Sequence, residues 1–133
     1  GANFVVGPMT NPEVARLCNR RGIPYSPGCG SATEIGAAQE LGCEIVKVFP
    51  GESVGGPSFV KAVLGPMPWT KIMPTGGVDA SEASLREWFG AGIVACGIGS
   101  NLISKTLLDA RDYDGIETKV RETIALAKRI REG

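Results

Sequence analysis

An α/β fold with a parallel sheet, and specifically a (β/α)8 barrel, is the class this sequence predicts, on three observations. Short apolar runs recur about 19 to 26 residues apart, each followed by a Gly/Pro-rich turn and then an amphipathic stretch closed by glycine. A strand, a helix and two loops fill that interval. No G-x-G-x-x-G turn follows the first run, so an open nucleotide-binding sheet lacks its signature. Residues suited to chemistry follow several of the runs, above all the last two, as they do on the C-terminal face of a barrel.

The predicted strands are Phe4–Gly7, Ile23–Ser26, Ile45–Phe49, Lys71–Pro74 and Ile93–Ile98. Between the first two, Asn11-Pro12-Glu13 supplies an N-cap, a proline at the first helical position and an acid in the first turn, and Gly22 stops the helix. Ser31-Ala32-Thr33-Glu34 reads as a capping box for a helix closed by Gly42. Pro57 opens the third helix and Gly65-Pro66 ends it. The fourth starts in Asp79-Ala80-Ser81-Glu82 and stops near Gly90. A last helix over Asp114–Arg131 puts Ile116, Val120, Ile124, Ala127 and Ile130 on one apolar face.

A complete barrel takes about 200 residues or more, whereas these 133 hold five units. Residues 1–133 are therefore expected to be the C-terminal part of a single barrel domain, covering about strands 4 to 8. Gly1 in place of an initiating methionine fits a removed start or a piece of a longer chain. Such a part leaves the strands at Phe4 and Ile98 each short of a neighbour, and bare strand edges invite association.

Composition narrows the function. Lysines plus arginines and acids both number 14, so no basic field for nucleic acid is present. No apolar run reaches the roughly 18 to 20 residues of a membrane helix, and no secretory leader opens the chain. Cys18, Cys29, Cys43 and Cys96 are scattered singly, as buried thiols of a reduced cytoplasm or as two disulfides of a secreted chain; the missing leader favours the thiols. There is no histidine, so Ser-His-Asp and Cys-His pairs and histidine-based metal sites are excluded. Chemistry must rest on lysine, carboxylate, hydroxyl or backbone groups.

Lys47 interrupts the apolar run Ile45–Phe49. It either reaches water at a strand end or points into a packed barrel. Strands of a parallel barrel are covered on both faces. A lysine withdrawn from water favours the neutral amine that attacks carbonyls. Pro74-Thr75-Gly76-Gly77-Val78 follows the fourth strand and Gly97-Ile98-Gly99-Ser100 the fifth. Each is a tight turn on one reading. On the other, together with a short helix beginning in Asn101–Ser104, they form the phosphate site common after strands 7 and 8 of this fold. Thr75 could bind a substrate carboxylate or merely end its strand. Glu52 is a solvated loop acid or a proton-handling group. Trp69 and Trp88 read as packing residues rather than stacking platforms.

The string Ile45-Val46-Lys47-Val48-Phe49-Pro50-Gly51-Glu52 resembles the strand-6 signature of the 2-keto-3-deoxy-6-phosphogluconate/4-hydroxy-2-oxoglutarate aldolase family. Ile23-Pro24-Tyr25-Ser26-Pro27-Gly28, the Thr75-Gly76-Gly77 and Gly97–Ser100 loops and Asp112-Tyr113-Asp114 extend the likeness colinearly over essentially the whole chain. The resemblance implies a (β/α)8 class I aldolase, cytoplasmic and homotrimeric, that needs no metal or cofactor. It implies Lys47 as the Schiff-base lysine, Thr75 at the pyruvate carboxylate, Phe49 lining the pocket, and Gly76, Gly77, Gly99 and Ser100 around the phosphate. Substrate would be a phosphorylated keto acid, 2-keto-3-deoxy-6-phosphogluconate, split to pyruvate and glyceraldehyde 3-phosphate. The galactonate-derived analogue and 4-hydroxy-2-oxoglutarate stay open as alternatives. The family's general acid/base glutamate and substrate arginine lie on and near strand 2, and no residue here matches them. Competing readings are another phosphosugar barrel, an isomerase or epimerase that would not need Lys47, and a non-catalytic phosphate-binding fragment kept for subunit contacts.

Overall fold

Strand and helix alternate as predicted in the computed structural model, which describes residues 1–133. Five strand segments, β1 (Val5–Val6), β2 (Tyr25–Ser26), β3 (Gly28–Cys29), β4 (Ile45–Val48) and β5 (Lys71–Pro74), all pair in parallel. β1 pairs with β2, and β3–β4–β5 form a second ladder. β2 and β3 are one extended segment divided at Pro27, which has no amide to donate but whose carbonyl accepts from the Lys47 amide at 2.9 Å. Tyr25 and Ser26 thus serve β1 while Gly28 and Cys29 serve β4, and the segment passes the pairing from one ladder to the other.

The expected strand Ile93–Ile98 is a correction. Only an isolated bridge between Thr75 and Gly97 forms there. The Val94 amide donates to the Ile72 carbonyl at 3.0 Å and the Gly97 amide to the Pro74 carbonyl at 2.8 Å. Those bonds advance three residues on one side and two on the other, so one extra residue is spent between them. A bulge of that kind interrupts a ladder.

Local signals placed the helices closely. α1 (Pro12–Arg21) is capped by the Asn11 side chain, which accepts from the Glu13 and Val14 amides, and ends at Gly22 in the left-handed region. α2 (Ala32–Glu40) has the capping box with one change: Glu34 accepts from the Gly30 amide at 2.7 Å instead of that of Ser31. α3 (Gly56–Leu64) carries Pro57 in its first turn. α4 (Glu82–Gly90) is capped by Ser81, two residues later than an Asp79 start; Asp79 instead faces the loop after residue 98. α5 (Lys105–Asp109) is a five-residue helix capped by Ser104, so the short helix starts beyond the expected Asn101–Ser104.

α6 (Tyr113–Glu132) forms over the predicted span with Asp112 as cap. Of its expected face, Ile116, Val120, Ala127 and Ile130 are partly covered, Ala127 and Ile130 against the core, but the face turns toward Leu126 and buried Thr123 and leaves Ile124 51% exposed. The sequence period allowed both faces, and contact with α4 selects one. Trp88 is 1% exposed, as a packing residue should be, whereas Trp69 is 67% exposed and packs no core.

The core lies on one side of the sheet. Val46, Val48, Ile72 and Pro74 are buried beneath helical Ala15, Cys18, Ile35, Val60, Leu85 and Trp88. Period-two alternation sends Ile45, Lys47, Met73 and Thr75 to the other face, where each is only partly covered. All four cysteines are free thiols, in keeping with the reduced reading. Burial pushes the thiols of Cys29, Cys43 and Cys96 above their ordinary range.

Candidate functional site

Lys47 stands on the helix-free face of β4, since its neighbours Val46 and Val48 are fully buried on the other. Its Nζ lies 4.5 Å from the centroid of the Phe49 ring, two residues along the same face. That is cation–π distance, and it holds the amine beside an apolar wall. Of the two readings, Lys47 points away from the helices, as an inward lysine should, and it is partly exposed because helices cover only the opposite face.

The parallel register sets Met73 beside Lys47. Thr75, two residues on, comes level with Phe49, and its amide donates to the Val48 carbonyl at 3.0 Å. Lys47, Phe49, Met73 and Thr75 therefore share one face at the C-terminal end of the sheet. Met73 was not singled out from the sequence. The alternation of Lys71, Met73 and Thr75 would have found it.

The loops beyond β4 and β5 are zipped together. The Gly51 amide donates to the Thr75 carbonyl at 2.8 Å and the Glu52 amide to the Gly76 carbonyl at 3.0 Å. Gly77 has φ +80°, and a Cβ there would overlap the Cβ of Glu52. The Glu52 carboxylate lies against Gly56 and Gly77 at the exposed rim. On the other side, Thr75 Oγ1 sits where a Cβ on Gly97 would stand, so this glycine makes room for the threonine hydroxyl.

Gly76, Gly77, Gly99 and Ser100 are exposed, and none of their amides donates to an acceptor within the chain. The Thr75–Gly97 bridge brings the two loops side by side at their base. Further out, Asn101 Nδ2 donates to Asp79 Oδ1, and Lys119 Nζ donates to the Asn101 carbonyl at 3.0 Å. Four unsatisfied N–H groups on adjacent exposed loops suit an anion. No group of three or more His, Cys, Asp or Glu side chains could hold a metal. No helix is long and apolar enough to cross a membrane.

Residues 1–119 match the profile of the KDPG and KHG aldolases. A 2-dehydro-3-deoxy-phosphogluconate aldolase of Haemophilus influenzae is 40% identical over 129 residues, which are 96% of this chain and 59% of the relative. Among solved structures, a 4-hydroxy-2-oxoglutarate/2-dehydro-3-deoxyphosphogluconate aldolase superposes with TM-score 0.79 at 34% identity, over 96% of this chain and 60% of the other. The KDPG aldolase of Legionella pneumophila, with pyruvate captured as a covalent carbinolamine, gives TM-score 0.80 at 25% identity over 95% and 59%. The chain thus spans about three fifths of the length of the relatives it matches.

Proposed function

Because the chain belongs to the KDPG and KHG aldolase family, we propose that it carries the Schiff-base half of a class I aldolase cleaving 2-keto-3-deoxy-6-phosphogluconate to pyruvate and glyceraldehyde 3-phosphate. The carrying observation is Lys47 against Phe49, on the helix-free face it shares with Thr75.

In this reading the neutral Lys47 Nζ adds to the C2 ketone, and loss of water from the carbinolamine leaves an iminium. The C3–C4 bond then breaks. Its electron pair moves toward the iminium nitrogen and leaves an enamine, while the C4 hydroxyl gives up its proton and becomes the aldehyde of glyceraldehyde 3-phosphate. The enamine takes a proton at C3, and hydrolysis frees pyruvate and Lys47. Thr75 holds the carboxylate through its hydroxyl and Phe49 lines the pocket. The amides of Gly76, Gly77, Gly99 and Ser100 hold the phosphate. Those four amides favour a phosphorylated substrate over 4-hydroxy-2-oxoglutarate, and the galactonate-derived phosphate would use them equally. Glu52 is assigned no proton transfer; by the family pattern that role belongs to a strand-2 glutamate with no match in residues 1–133.

The architecture read with this function is a (β/α)8 barrel in which the chain supplies strands 4 to 8. Supporting it, β1 pairs only with β2, residues 94–97 pair only with β5, and one sheet face bears no helix. The assembled enzyme is read as a cytoplasmic homotrimer, to which the four free thiols and the exposed apolar side chains of Leu17 and Ile124 lend support.

Incubation with pyruvate and borohydride tests the chemistry. A reduced pyruvate adduct should appear on the peptide containing Lys47 and vanish in Lys47→Ala. An adduct spread over surface lysines, or one surviving that substitution, would overturn the assignment.

A further inference from the structure

The phosphate reading leaves one question of geometry: what fixes the distance between Gly76–Gly77 and Gly99–Ser100. Their loops touch at the Thr75–Gly97 bridge, and the residues beyond it are exposed. A phosphoryl group bridging two amide pairs binds well only if they are held at its width, since ordering loose loops costs free energy on binding. Three polar side chains from separate parts of the chain meet just beyond these amides. Asn101 Nδ2 donates to Asp79 Oδ1, two residues past Gly77, and Lys119 Nζ on α6 takes the Asn101 carbonyl at 3.0 Å.

We propose that Asn101 is a positioning residue, a strut that ties the Gly99–Ser100 loop to the Gly77–Asp79 loop and to α6 and thereby sets the spacing of the four phosphate-binding amides. The inference rests on the phosphate role assigned to those amides. It explains a feature otherwise unfavourable to an anion site. Asp79 places a like charge near the phosphate, and in this arrangement its carboxylate is engaged by the Asn101 amide with the Lys119 ammonium one contact further on. Neither Asp79 nor Asn101 touches the carbonyl chemistry at Lys47, so the strut acts on phosphate affinity alone.

Titration of the full chain with inorganic phosphate, followed at the Gly76, Gly77, Gly99 and Ser100 amides by 1H–15N spectra, tests this. The wild type should show all four moving with one apparent Kd. Asn101→Ala should weaken that Kd about fivefold, the worth of one hydrogen bond, and leave borohydride trapping of pyruvate at Lys47 unchanged. Asp79→Ala, which also removes the acceptor, should weaken it likewise, whereas Asp79→Asn keeps an acceptor oxygen and should not. Wild-type affinity in Asn101→Ala would overturn the strut. So would tighter binding in Asp79→Ala and Asp79→Asn alike, which would mean that charge alone is felt. Absence of any amide response in the wild type would instead remove the phosphate site itself, and the strut with it.

Discussion

Replacing Gly77 with alanine should cost stability through two separable effects. At φ +80° an L side chain is strained, and the new Cβ would overlap the Cβ of Glu52. The first effect is worth ~1–2 kcal/mol and the second ~1–3 kcal/mol. A stiffer unfolded chain returns ~0.4–1 kcal/mol, so the net loss is ~1–5 kcal/mol. Removing the obstructing atom separates the terms. In a Glu52→Gly background only the backbone strain remains, and Gly77→Ala should cost no more than about 1.6 kcal/mol, the strain less that return. Glu52→Ala keeps the Cβ and should leave the full cost in place. Urea unfolding of the wild type, Gly77→Ala, Glu52→Gly and their double variant at one protein concentration gives the coupling free energy, expected at ~1–3 kcal/mol. Equal costs in the wild-type and Glu52→Gly backgrounds would refute the overlap. A loss below ~0.5 kcal/mol in every background would refute the strain as well.

Two further outcomes follow from burial and charge. Trp88→Ala should lose ~3–5 kcal/mol, because the ring is 1% exposed, while Trp69→Ala, at 67% exposed, should stay within ~0.5 kcal/mol; similar midpoints in chemical denaturation would contradict the core described here. Glu44 pairs with Lys71 at the start of β4 and β5, and that bond holds its carboxyl below the ordinary value of 4.5. A carboxyl depressed in the folded state stabilises above its unfolded pKa and loses that contribution as pH falls through the lowered value. Lys71→Met should move the Glu44 midpoint, read from its side-chain carboxyl carbon resonance, back up toward 4.5; an unmoved midpoint would show that the pair does not form.

What the sequence disclosed was what is decided locally. Asn11, Ser31, Pro57 and Gly22 announce their helix ends because a cap needs only its own next few residues. Lys47 and Thr75 were legible as candidates because a polar residue at a fixed place in an apolar run is a local anomaly, Phe49 came only through the family resemblance, and the structure brings the three to one face. Matters settled by distant partners were not legible. The bulge that dissolves the strand at 93–98 depends on its offset against β5. The face of α6 depends on α4. The exposure of Lys47 depends on what covers the helix-free side, which alternation cannot report. Asn101 meets Asp79 across 22 residues and Lys119 across 18, and no short-range pattern links them.

The backbone bonds from Gly51 to Thr75 and from Glu52 to Gly76 carry strand pairing past the ends of β4 and β5. The segment that follows the lysine and the segment that bears the threonine are therefore sewn together on the solvent side, where mobile lids are commonly found. These two loops cannot part to admit substrate without giving up amide bonds that also carry the zipper. The spacing between the strand that carries Lys47 and the loop that carries Thr75 is therefore set at folding. Amide exchange would register this as slow exchange at Gly51 and Glu52, two loop residues behaving as though the sheet had not ended.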